Sequence, residues 1–493
     1  MRLLVVCAAA LACACSRPPA VAADLLVTHA KIWTGNPAQP DAQALAIIGD
    51  RIVDAGLAAE IDRWRGANTQ VIDAEGRRVV PGFNDAHVHF AGGGAQLIQV
   101  DLRDASSAAE FARRIVGRAR NRPGEWILGG QWDERRWTPP DLPARGLIDD
   151  ETNGTPVLVM HADGAMALAN AAALGRAGIT EHSPDPVGGT IVRDALGIPT
   201  GVLEGTAIDA VARVIAKPTD EQRRQTIARA LQHAASLGVT SVQDINPDPA
   251  DVSMYADLAS RDELPTRIYA IPIETTWFEQ ARLGIRRGFG SRLLRLGAVA
   301  GEPTGRTDEL QTRLMAADHA GLQLCISADR SGAGAVLDLL ASLVKSNDER
   351  DRRFRVERAE RATDADADRL VSLHAVATIQ PLASGGDDVL QRLVKRHARV
   401  AAATNWPSRP LNPLLGIAAM AARAPVADAV SAYTAGSAFA EFQDDVKGTL
   451  ARGMLADLVV LSDDIFSVAP DRIKATTVLT TIANGKVVHQ RRP

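Results

Sequence analysis

The chain has 493 residues, enough for a large core with a satellite domain. A formal net charge of -4 excludes a basic nucleic-acid surface, and no acidic tail is present. With 46% hydrophobic residues, 4% aromatics and mixed charges throughout, the composition excludes a disordered chain.

The first element is a leader. Arg2 precedes an apolar run over residues 3–14, too short to cross a bilayer but the length of a signal-peptide core. Leu11-Ala12-Cys13 reads as a lipobox that would place a lipid on Cys13, whereas Ala20-Val21-Ala22 or Val21-Ala22-Ala23 suits ordinary signal peptidase. Residues 1–23 are therefore expected to direct export to the periplasm, and the lipoprotein reading is favoured. A lipid anchor would be the only membrane contact, because no later stretch is apolar enough to span one. Cys7, Cys13 and Cys15 belong to the leader region, so Cys325 alone cannot form an internal disulfide.

Residues 24–80 alternate short apolar strands with turns, among them Gly49-Asp50 between two apolar runs. Residues 441–493 repeat the texture, with Asn484-Gly485 as a tight turn. Both ends together are expected to build one small β-sandwich. Between them, residues 81–440 alternate apolar runs with amphipathic helices. Strands are predicted at 156–160, 239–242, 267–271, 322–326, 354–357, 377–379 and 399–403, and helices at 221–236 and 308–320. The expected class is α/β, with an eight-stranded (β/α)8 barrel as the leading arrangement. Residues 124–205, rich in Trp, Pro and Gly, read as an insertion near the barrel mouth.

The sharpest chemical signal is Pro81-Gly82-Phe83-Asn84-Asp85-Ala86-His87-Val88-His89. Residues two apart on a strand face the same side, so His87 and His89 can reach one metal from the end of the first barrel strand. An arbitrary His-x-His is more often a pair of buried, backbone-bonded histidines. The Pro-Gly-Phe lead-in and the position after a β-rich segment reverse that balance here.

These residues resemble the amidohydrolase superfamily, and most closely its YtcJ-like branch, which includes N-substituted formamide deformylases. The resemblance extends through Gly129-Gly130-Gln131-Trp132-Asp133, Gly188-Gly189-Thr190-Ile191-Val192-Arg193-Asp194, the 233–244 helix-strand unit, Pro410-Leu411-Asn412-Pro413 and the 447–461 return. It implies a hydrolase of non-peptide C–N bonds. The family site it implies holds two metals through a His-x-His pair, a carbamylated lysine and two more histidines, with an aspartate as general base.

Carried over position by position, the resemblance keeps His87 and His89 and loses the rest. Ala300 stands for the lysine, Ser327 and Arg358 for the two histidines, Asn405 for the aspartate, and Ala165 for a substrate-side histidine. No histidine or lysine lies in the windows 297–305, 325–330 or 354–359. Alanine offers no donor, a serine hydroxyl is a poor ligand beside imidazole, and asparagine takes up no proton at ordinary pH. Arginine stays charged, and at about 4–6 Å it would repel a divalent cation by several kcal/mol. Arg358 is expected to replace the metal, pairing with Asp85, Glu302 or Asp329. No residue is assigned as catalytic.

Among the other candidates, Cys325 faces the same side as Ser327 and is expected to be a buried thiol. His161 and His182 lie in or near the insertion, where loop or surface roles are favoured. Trp132, with Trp137 and Trp406, could wall a ligand pocket, although core packing is equally expected. Two functions remain open. One is an exported pseudo-hydrolase that binds a small ligand through Arg358. The other is a C–N hydrolase with one zinc or other divalent metal at His87/His89, or with none.

Overall fold

The computed structural model describes residues 21–303, 307–383 and 388–491; the lipobox reading at Cys13, and Thr304 and Gly305 of the 297–305 window, lie outside them. The fold is mixed α/β. Runs of Val, Ile, Leu and Ala with little polar interruption form strands covered on both faces, the pattern of parallel sheets. The eight central ones are β1 (Phe83–Val88), β2 (Val239–Ile245), β3 (Arg267–Ile271), β4 (Ala298–Gly301), β5 (Gln323–Ser327), β6 (Arg355–Glu357), β7 (Val376–Ile379) and β8 (Arg399–Ala402). The short Ala-Val-Ala-Gly run of β4 carries too little apolar signal to be among the expected strands.

β1, β2 and β3 pair in parallel, and Leu294–Leu296 extends their sheet; β4 to β8 pair in parallel in chain order in a second sheet. The two sheets meet at both edges. Ile273 bridges Ala300 in parallel. At the other edge Asn405 N–H donates to the His87 carbonyl at 2.9 Å, and His89 N–H donates to the Trp406 carbonyl at 2.8 Å.

Helices cover the strands. Asp220–Ser236 begins with a capping box in which Thr219 and Gln222 satisfy each other's backbone N–H groups. Thr307–His319 and Gly332–Ser346 follow β4 and β5, the latter burying Val336, Leu337, Leu340 and Leu343 at period 3.6. These helices, β1 to β8 and their connections share one apolar cluster that includes Phe83, Val242, Ile268, Leu324, Val356 and Ala377.

The two ends of the chain form two further sheets. One is four-stranded and entirely N-terminal; the other is six-stranded, with Lys486–Gln490, Val478–Ala483 and Leu458–Leu461 on one side joined to Arg78–Pro81, Lys31–Trp33 and Asp41–Ala42 on the other. Their facing sides share a core of Leu25, Val27, Leu45 and Ile47 with Ile32, Val79, Leu458 and Ile482. A separate six-stranded sheet runs from Val100–Asp101 to Pro199–Gly205, so the inserted unit begins earlier than residue 124.

Asn484 (φ 54°) and Gly485 (φ 71°) form the turn between the last two strands, both in the left-handed region that a type I′ hairpin demands. A Cβ on Gly485 would run into the Gly49 carbonyl oxygen. Gly485→Ala is therefore expected to destabilise the protein by about 1–3 kcal/mol, through strain and displacement of the neighbouring turn. Urea midpoints of the two proteins check this.

Candidate functional site

The C-terminal ends of β1, β4, β5 and β6 open on a cavity of about 540 Å³. His87, His89, Ala300 and Glu302 line it, together with Ser327, Arg358 and Asn405. Strand geometry explains the gathering. Parallel strands all end on the same side, so residues far apart in sequence meet there. Asn405 is fixed beside His87 by the backbone bond already described.

The two histidines are held through Nδ1, and among the described residues no hydrogen bond engages either Nε2. His87 Nδ1 lies 2.8 Å from Glu357 Oε2, and His89 Nδ1 lies 2.9 Å from the Ile245 carbonyl oxygen. A carbonyl only accepts, so Nδ1 of His89 carries the proton and Nε2 its lone pair. The same tautomer follows for His87 from the carboxylate. Burial, then the neighbouring His87, lowers the His89 pKa from its ordinary value and favours the neutral ring. The rings sit edge to face with centroids 5.6 Å apart.

Arg358 pairs with Asp329 at 2.7 Å, one of the three partners expected from the sequence. Glu302 instead faces Arg330 at 3.5 Å. Asp85 is fully buried and does not line the cavity: it accepts from the Thr404 hydroxyl at 2.6 Å and from the Thr404 and His87 backbone N–H groups. Burial pushes its pKa up to about 6 against those bonds. Arg358 holds φ at 58°, and its Nε is buried without an acceptor among the described residues.

Trp132 and Ala165, expected at the pocket, are not among its lining residues. Trp132 is fully buried in the insertion core with Phe111 and Trp137, and its Nε1 donates to the Val159 carbonyl at 3.2 Å. Ala165 occupies an exposed turn, its N–H bonded to Asp163 Oδ1 at 2.8 Å. Trp406 packs against Phe90 and His233 below the site. Cys325 does line the cavity, yet it is 1% exposed and burial raises its pKa to about 12, so it remains a thiol.

Sequence reasoning missed the group that orients His87. Glu357 is buried between His87 and Arg355, whose Nη2 lies 2.7 Å from Glu357 Oε1. Burial opposes ionisation of Glu357, but the Arg355 guanidinium and the His87 bond outweigh it and hold the carboxyl below its ordinary value. The available signal was two charged residues at alternate positions of a three-residue central strand, facing one side. Glu274 and Arg313, paired at 3.0 Å on the cavity wall, carried no such signal.

The metal centre implied by the resemblance was tested against these residues. The histidine pair fits, since an imidazole whose Nδ1 is held by a carboxylate or carbonyl presents Nε2 as a ligand. The rest does not fit. Among the described residues no third His, Cys, Asp or Glu joins both imidazoles at ligating distance; the one such cluster of three lies in the insertion. The cavity residues present do not make a two-metal centre.

Comparison with known proteins gives a consistent picture. The model of the amidohydrolase family matches residues 70–489. The chain is 33% identical to the protein LONG AFTER FAR-RED 3 of Arabidopsis thaliana, over 96% of this chain and 93% of that one. It is 26% identical to YtcJ of Bacillus subtilis (strain 168), over 87% and 92%. It is 24% identical to an N-substituted formamide deformylase of Arthrobacter pascens, over 95% and 98%. Among solved structures, an uncharacterized metal-dependent hydrolase from Pyrococcus furiosus shares the fold with a TM-score of 0.72 and 21% identity, covering 90% of this chain and all of that one.

Two outcomes are expected. Glu357→Gln leaves the Arg355 charge buried without its partner and should destabilise the fold by about 3 kcal/mol in urea unfolding. Asp244, beneath His89, accepts from Phe90 N–H and Tyr255 Oη at 2.8 and 2.9 Å, and burial raises its pKa to about 7. A carboxyl raised in the folded state favours folding while protonated, and that contribution is lost as pH rises from its unfolded value towards 7. Asp244→Asn should therefore gain about 2 kcal/mol over the unaltered protein at pH 8 relative to pH 5. Unfolding curves at both pH values check the sign.

Proposed function

Because this chain belongs to the amidohydrolase family, we propose that it is an exported member that uses the family's cavity to hold a small anionic or amide ligand without hydrolysing it. The observation that carries the reading is Arg358: a permanently charged guanidinium on the cavity wall, paired on one side with Asp329 and 32% exposed. A ligand carboxylate or carbonyl oxygen pairs with the exposed part of that guanidinium. Asn405 offers an amide that hydrogen-bonds a second polar group but takes up no proton. The neutral His89 ring offers an Nε2 acceptor to a ligand N–H.

In this reading β1 to β8 form one closed (β/α)8 barrel and the terminal sheets one β-sandwich, supported by the two edge contacts between the central sheets and by the shared terminal core. The leader-like residues 1–23 support export. Among the described residues no helix is long and apolar enough to cross a membrane.

A second reading is favoured by the orientation of the histidines. Their Nε2 atoms suit a single divalent metal, and the similarity to an N-substituted formamide deformylase suggests hydrolysis of a C–N bond in a small amide-type substrate. Thermal-shift titration with small carboxylates and N-formyl compounds, followed by an assay for released amine with added zinc or manganese, separates the two. The first reading expects binding that weakens about tenfold or more, about 1.4 kcal/mol, in Arg358→Gln, with no turnover. Metal-dependent turnover that disappears in His87→Ala would replace it with the second.

A further inference from the structure

A second polar cluster lies in the inserted sheet, away from the residues that line the cavity. Ile127–Trp132 and Val157–His161 are neighbouring parallel strands, and Trp132 pairs with His161 at their C-terminal ends. The chain leaves the first strand through Gln131 at φ 63° and enters a short 3-10 turn, Glu134–Arg136. This geometry sets Asp133 and Glu134 beside His161. One ligand atom of each lies within 4.8 Å of the other two.

The state of His161 points to what belongs between them. The residue is 4% exposed. Its Nδ1 lies 2.8 Å from Asp163 Oδ1 and accepts from the Asp163 backbone N–H at 3.3 Å. Nε2 is the ring nitrogen turned toward the acidic pair, and an ion bound there displaces its proton. Nε2 lies 3.0 Å from Glu134 Oε2, yet both atoms are buried and neither makes a hydrogen bond. A proton on Nε2 is the competing occupant, but an N–H there would not point at Oε2. Two buried polar atoms that face each other without a hydrogen bond are an unfavourable arrangement that a cation relieves.

We propose that Asp133, Glu134 and His161 form a divalent-cation site at the carboxyl ends of these two strands. One imidazole and two carboxylates suit a zinc- or manganese-type ion, with water completing the shell. Ligands around tetrahedral zinc stand about 3.4 Å apart, and small rotations of the two largely buried acidic side chains close the difference. Asp133 also accepts from Arg135 Nε at 2.6 Å and Nη2 at 2.9 Å. That arginine side chain is 70% exposed; Oδ1 also accepts from the Arg135 backbone N–H at 3.2 Å, so Oδ2 is the oxygen that retains a lone pair for the metal. The site is independent of the cavity and of the function proposed for it.

The test is a titration of the chelator-treated full-length protein with zinc or manganese alone, reading bound ion per chain by elemental analysis and melting temperature by calorimetry. The comparison proteins are Glu134→Gln, Asp133→Asn, His161→Gln and the double variant His87→Ala/His89→Ala. The expected result is about one ion per chain with a raised melting temperature, retained in the double variant and weakened at least tenfold in Glu134→Gln and Asp133→Asn. Those two replacements are isosteric and lie at a 3-10 turn rather than within a strand, so they report even if His161→Gln fails to fold. Absence of bound ion in the unaltered protein, or binding lost only in the double variant, overturns the proposal.

Discussion

The structure depends on one buried guanidinium. Arg355 is fully buried at the centre of the parallel strands, where a bare charge would be untenable. It is tolerated because four strands supply acceptors: Gln243 Oε1 of β2, the Ala86 carbonyl of β1 at 2.5 Å, Glu357 of β6 and the Thr378 hydroxyl of β7. Those strands belong to both central sheets. The same contacts therefore tie the sheets together and aim Glu357 at His87. Apolar packing alone fills a core but leaves rotation of a side chain underdetermined, whereas a guanidinium with directional donors specifies geometry.

The cavity above that network has polar walls whose charges are paired off. Arg358 faces Asp329, Arg330 faces Glu302 and Arg313 faces Glu274. Such pairing neutralises local negative charge that would otherwise attract a cation. It also keeps the walls hydrogen-bonding, as a small polar ligand needs. The His87/His89 pair is the feature that still points towards metal chemistry, because its Nδ1 atoms remain anchored.

Two separate strand ends in this chain gather polar side chains: those of the central sheets around the cavity, and those of the inserted sheet around His161. The cause is common to both. Parallel strands present their carboxyl ends together, and the connecting loops leaving those ends are free of the packing that fixes the strand interiors.

The fold was legible in the sequence wherever periodicity or turn chemistry left one answer. The strand at 267–271 and the helices near 221–236 and 308–320 fall at Arg267–Ile271, Asp220–Ser236 and Thr307–His319, and Asn484-Gly485 turns as its residue types require. The positions of Ala300, Ser327, Arg358 and Asn405 at one cavity follow from strand order and were foreseeable from the resemblance. What the sequence left open were partners across long separations. Arg358 had three candidate carboxylates, and only the loop after β5 decided for Asp329. Trp132 carried a ligand-wall signal, but its packing against Phe111 and Trp137 buried it elsewhere. The bond from Glu357 to His87 joins residues 270 positions apart, and the His161 cluster joins two strands of the insertion. Local propensity and spacing are set by neighbours in the chain, and so they can be read there. Which buried charge meets which partner is set by where strands end in space, and that only the tertiary structure decides.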